Sequence, residues 1–143
     1  MDHTLAPLLG ASTFTWLGMV IAISFIEAPL KFRAPGVTVP IGLGIGRLVF
    51  RALNIAEVVL ATCLLATVAL GRPAMSSTAF AVVAVVLLVI QLSAVRPRLN
   101  RRSERVLAGE GSPARSHAHL AYVVTEVLKV AALLAVGVST LIG

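Results

Sequence analysis

The stretch from Gly44 to Gly71, GIGRLVFRALNIAEVVLATCLLATVALG, decides the fold. From Val58 onward it holds no charged residue, and about 20 helical residues suffice to cross the ~30 Å hydrocarbon layer of a bilayer. Its first half is different: Arg47, Arg51, Asn54 and Glu57 follow at steps of four, three and three, which sets them along one side of a helix. A span with such a head needs a polar interior to face, because lipid offers these groups no partner.

The rest of the chain agrees with a membrane class. Of 143 residues, 58% are hydrophobic and 13% charged, with a mean hydropathy of +0.98, whereas soluble domains are charged at about a quarter of their positions. The expected fold is all-α, a single four-transmembrane-helix bundle over 1–143 with spans at about 11–30, 46–70, 74–95 and 118–142. Gly71, Arg72 and Pro73 read as a tight turn, so spans two and three are expected to be antiparallel neighbours. Pro97, Gly109, Gly111 and Pro113 punctuate a basic loop over 96–117. The segment MDHTLAPLLG lacks Lys and Arg, and Glu27 and Pro29 interrupt a signal-type cleavage region, so the first apolar run is retained as a span.

The formal charge of +6 is unevenly placed: six of the twelve Lys and Arg lie between Arg96 and Arg115, Lys31 and Arg33 follow span one, and Arg72 stands alone after span two. Cytoplasmic connectors collect such residues. The expectation is a multi-pass protein of a bacterial inner (cell) membrane with both termini outside. Membrane lipids and further copies of the chain, as a homo-oligomer, are expected partners; nucleic acid is not, because no aromatic or glycine-rich recognition module accompanies the charge.

Two more spans carry polar stripes. On span four His119, Tyr122, Glu126 and Lys129 step by three, four and three; on span one Ser24, Glu27 and Lys31 step by three and four. Span three is the plain one, with Gln91, Ser93 and its initial serines as its notable polar groups. In the expected orientation Glu27, Arg47, Arg51, His119 and Tyr122 share the cytoplasmic level, with Glu57, Glu126 and Lys129 one to three turns deeper. A charge at the centre of a span costs about 2.5–3.5 kcal/mol, so these groups are expected to face inward and pair: Glu27 with Arg47 or Arg51, and Glu57 with Lys129 or Arg51. The candidate ligand-binding set is Glu27, Arg47, Arg51, Asn54, Glu57, His119, Tyr122, Glu126 and Lys129, walling a cytoplasm-facing pocket for a small anionic or amphipathic ligand. The competing reading is a structural network that fixes helix register.

Other motifs carry less. Gly42, Gly44 and Gly46 lack the strand and the Lys-Ser/Thr of a phosphate loop, and the GxxxG spacing of Gly42 and Gly46 points to close helix packing, with Pro40 at a helix start. His117 and His119, two apart on a helix, point to nearly opposite sides, so no metal is expected. No cofactor motif is present. Ser24, Ser93 and Cys63 form no nucleophile-base-acid set, Cys63 is read as a packing residue, and Trp16 as a packing or interfacial anchor.

The segments WLGMVIAISFIEAPLKFRA, GRLVF, RPRLNRRSERVLAG and SHAHLAYVVTEVLKVAALLAVG, with Ala28, Pro29 and Phe32 as an AP-x-x-F element, occur in an order that resembles the small four-helix bacterial membrane proteins of unknown function related to a eukaryotic transmembrane protein associated with platinum-drug resistance. That resemblance implies a four-span bundle and a transport or efflux association. Locally, FRALNIAE (Arg51, Ala52, Asn54, Glu57) is similar to the second span of the MAPEG membrane enzymes, with Arg51 one residue closer to Asn54 than in their pattern. This second likeness implies, as an alternative, a homo-oligomeric enzyme acting on a lipophilic substrate with glutathione or a similar anionic cosubstrate. A structural or lipid-organising subunit is the third expectation.

Overall fold

In the computed structural model, residues 4–110 and 117–142 are described. Four helices carry the chain: α1 (Leu5–Arg33), α2 (Val39–Gly71), α3 (Met75–Leu107) and α4 (His117–Ile142). Each is long and apolar enough to cross a membrane, and the described residues contain no strand. The chain is a multi-pass, all-α four-helix bundle.

Local chemistry sets the ends. Thr38, in extended geometry, accepts a hydrogen bond from the Ile41 amide, and Pro40 occupies the first turn of α2, so this helix begins seven residues before the expected Gly46. At the other end Arg72 adopts the left-handed conformation (φ 45°), its N–H reaching the Val68 carbonyl at 3.0 Å, and Pro73 prevents continuation. Ala34 turns extended before Pro35, which stops α1.

The segment expected as a basic loop is helical for most of its length. Arg96–Leu107 continues α3 directly from the π-turn at Gln91–Val95, the kind of irregularity at which a helix accommodates a proline such as Pro97, and the next residues offer no breaker before Gly109. Gly109 (φ 75°) then closes the helix, with its N–H on the Val106 carbonyl and that of Glu110 on the Arg105 carbonyl. Residues 111–116, including Gly111, Pro113 and Arg115 of the expected loop, lie outside the described residues.

Each helix is antiparallel to the next. The closest packing is of α4 against α3 and α1, and of α1 against α2; α2 and α3 meet more sparsely. At the end of the bundle away from the basic connectors the interior is apolar and tight, with Leu9, Trp16, Leu17 and Val20 from α1, Ala61, Leu64 and Val68 from α2, Ala81, Ala84 and Leu88 from α3, and Ala132, Leu133 and Val136 from α4. Large apolar side chains such as Leu48, Ile55, Leu70, Val89 and Leu128 cover the outside, the distribution a lipid solvent favours. Cys63 is on this outer face, not in the core. Toward the basic end the interior changes to a buried polar layer and then to a cavity.

Candidate functional site

Immediately beyond the apolar core the four helices each contribute to one buried polar layer. Lys129 of α4 is fully buried; its ammonium pairs with Glu57 Oε1 of α2, lies 3.1 Å from Glu126 Oε1 of its own helix and donates to Gln91 Oε1 of α3 at 2.6 Å. The ammonium therefore donates to acceptors on α2 and α3 and lies within ion-pair distance of a carboxylate on its own helix. Trp16 of α1 donates its indole N–H to Glu57 Oε1 at 2.9 Å, so it anchors the buried carboxylate instead of an interface. Gln91 completes the ring by donating Nε2 to Glu126 Oε2 at 2.5 Å and to Thr125 Oγ1 at 3.0 Å. Glu57, Glu126 and Gln91 are each at most 2% exposed, and burial at that level is tolerable only because every one of them is bonded.

Two local irregularities aim this layer. α1 is π-helical over Ile21–Glu27 and α3 over Gln91–Val95. A π-turn inserts an extra residue into the helical register and turns the side chains within it to a new face. The first segment contains Ser24, whose Oγ donates to Glu126 Oε1 at 3.4 Å and accepts from the Tyr122 hydroxyl at 2.6 Å. The second begins with Gln91 itself.

Above the layer, toward the basic end, lies a cavity of about 540 Å³. Its floor is Ser24, Tyr122 and Glu126, its walls are apolar groups including Phe25, Phe32, Leu43, Phe50 and Val106, and four cations line it: Lys31, Arg47, Arg96 and Arg102. Lys31 pairs with Glu27 at 3.3 Å and Arg47 with Glu104 of the α3 extension at 3.0 Å. Arg96 is different. Its guanidinium stacks 4.1 Å from the Phe50 ring centroid and 4.6 Å from that of Tyr122, while those two rings meet edge to face at 5.7 Å. None of the ion pairs among the described residues includes it, and its buried Nε has no hydrogen-bond partner. Stacking on two rings holds the charge without neutralising it.

The sequence-derived set is thus only partly brought together. Glu57, Glu126, Lys129 and Tyr122 meet in one network, with the expected Glu57–Lys129 pair formed. Arg47 and His119 line the cavity. Glu27 does not pair with Arg47 or Arg51; Lys31 is one turn away on its own helix and takes it first. Arg51 is exposed on the outer side of α2 and outside the cavity lining, and Asn54 is half-buried without joining the network. Two successive steps of three separate Arg51 from Glu57, a rotation of about 120° at 3.6 residues per turn, so a stripe that starts at Glu57 inside has left the interior by Arg51.

Gln91, Trp16 and Arg96 lie outside the expected inward stripes, and Ser24 and Lys31, part of the span-one stripe, lie outside the candidate set. A glutamine inside an otherwise chargeless span was the available signal for Gln91; for Arg96, its position directly after that span was obscured by the surrounding arginines. The glycine pair also packs differently from a backbone crossing. A Cβ on Gly42 would clash with the edge of the Phe32 ring, and one on Gly46 would lie 3.0 Å from Lys31 Nζ, so these glycines seat two cavity side chains of α1.

Comparison with protein-family models, with curated proteins and with solved structures gives no match to this chain. The functional reading therefore rests on the site itself.

Proposed function

We propose that this chain is a transport-type protein of a bacterial inner membrane, both termini outside, whose cavity opens on the cytoplasmic side and binds a small amphipathic anion for translocation. The observation that carries the reading is Arg96: a guanidinium with no carboxylate partner among the described residues, stacked on two rings, in a cavity of about 540 Å³ with mostly apolar walls. That volume is within the range of small-molecule sites, about 300–1,000 Å³. A guanidinium offers a planar pair of donors to a carboxylate, phosphate or sulfonate, and the phenyl and aliphatic walls supply the surface an alkyl or aryl body needs. The MAPEG-like alternative has less support, because Arg51 is outside the cavity and Asn54 is not part of the polar network.

Thermal stability in zwitterionic nanodiscs tests the reading with three probes. Octanesulfonate is expected to stabilise the protein, methanesulfonate (head without tail) and octyltrimethylammonium (tail with opposite charge) to do so much less. Equal effects of the two octyl compounds would remove the anion from the reading.

A further inference from the structure

The extension of α3 is held differently from the rest of its helix. Met75–Ile90 is regular and seats Ser77, Ala81, Ala84 and Leu88 in the interior, whereas Arg96–Leu107 buries none of its residues. Three features soften the join between these parts. Gln91–Val95 is a π-turn, and Pro97 has no amide proton to send back along the helix. The Ser93 hydroxyl donates to the Val89 carbonyl at 2.7 Å, a back-bond of the kind that bends helices. Kinks concentrate at prolines and π-turns, and an element with little buried surface opens at low cost.

The same extension is one wall of the cavity, which Leu99, Ser103 and Val106 line. Near its far end Glu104 reaches across the mouth to Arg47 of α2, an exposed pair at 3.0 Å. Exposed ion pairs hold only weakly.

We propose that Arg96–Leu107 is a hinged wall of the cavity: it swings about Gln91–Pro97 to admit and release the anion, and the Glu104–Arg47 pair is the latch that holds it shut. The proposal rests on the anion-binding reading above for what passes, and on the helix itself for the motion. Displacement grows with distance from the pivot. Arg96 sits at the join and stays near the rings of Phe50 and Tyr122. Val106 lies ten residues further along, about 15 Å at 1.5 Å per residue, so a bend of about 20° carries it about 5 Å outward. The mouth opens while the seat of the anion is kept.

Two measurements test the hinge in zwitterionic nanodiscs. In a Cys63→Ala background, spin labels replacing the exposed Leu48 of α2 and Leu107 of the extension report the wall, and labels replacing Leu48 and Val89 report α3 before the join. Double electron–electron resonance is expected to give two distances for the first pair and one for the second. Glu104→Gln, at an exposed position, should raise the longer-distance fraction of the first pair, and Pro97→Ala, which restores the main-chain donor, should lower it. In stopped flow, Glu104→Gln is expected to speed association and dissociation of octanesulfonate alike, by about two- to fivefold, and to leave the dissociation constant unchanged. A carboxylate that acted only through its charge would behave otherwise, since its removal beside an anion site speeds association and slows dissociation. That kinetic pattern overturns the latch. One narrow distance for the first pair in both wild type and Glu104→Gln, or equal changes in the two pairs, overturns the hinge. Two distances that respond to Glu104→Gln without any binding of octanesulfonate leave the hinge standing and remove the anion reading.

Discussion

Lys129 has no exposed surface and two glutamates within ion-pair reach. Methionine in its place leaves Glu57 and Glu126 buried without a cation, and breaking a buried pair from one side costs about 3–5 kcal/mol, whereas removal of both partners can be nearly neutral. Lys129→Met is therefore expected to lower unfolding stability in detergent by about that amount, and Glu57→Gln in the same chain to recover part of it, since one carboxylate then remains for Gln91 and Ser24 to satisfy. Strictly additive losses would show that Glu57 and Lys129 act independently. The pair was legible in the sequence because only inward-facing groups of opposite sign can be retained in a span. The partners of Glu27 and Arg47 were not legible: several cations stood at compatible spacings, and the choice among them depended on where the α1 turn placed Lys31 and on an α3 extension that brought Glu104 alongside.

At the scale of elements, composition and span length sufficed for the four helices, and breakers sufficed for their outer ends. What hydropathy could not show was that Arg96–Leu107 continues α3, because an arginine-rich amphipathic helix and an arginine-rich loop have the same mean polarity. The π-turns were equally hidden. They leave no composition signal, yet they turn Ser24 and Gln91 onto the network. The α2 glycines provide the test at this level. Gly42 receives the Phe32 ring, while nothing lies within 4 Å of a Cβ on Gly44. Gly44→Ala is expected to stabilise the helix by about 0.5–1 kcal/mol. Gly42→Ala should instead be destabilising by about 1–3 kcal/mol through the displaced ring, with Phe32→Ala in the same chain restoring the glycine-to-alanine gain. Identical unfolding shifts for the two alanines would mean that Phe32 is not seated there.

At the scale of the whole molecule, the long helices exceed what a bilayer needs. Counting about 20 residues back from the Gly71 turn ends near Ala52, and the same count forward from Met75 ends near Ala94. On that reading Arg51 stands at the interface, where its guanidinium reaches the headgroups, and Arg96 stands at the same level. The network lies just inside the apolar slab, shallower than mid-membrane, and the cavity lies across its boundary; under the proposed function, an alkyl chain would stay in oil there while a charged head meets Arg96. The central claim is that Arg96 is the anion's seat. It is tested most directly by the dissociation constant of octanesulfonate at fixed pH and salt, compared between wild type, Arg96→Lys and Arg96→Gln. A charge-assisted hydrogen bond is worth about 1.5–3 kcal/mol, so Arg96→Gln is expected to weaken binding by about tenfold or more. Arg96→Lys, which keeps the charge but loses the planar fork, should fall between the two. A glutamine variant that folds and binds octanesulfonate as tightly as the wild type would contradict the account.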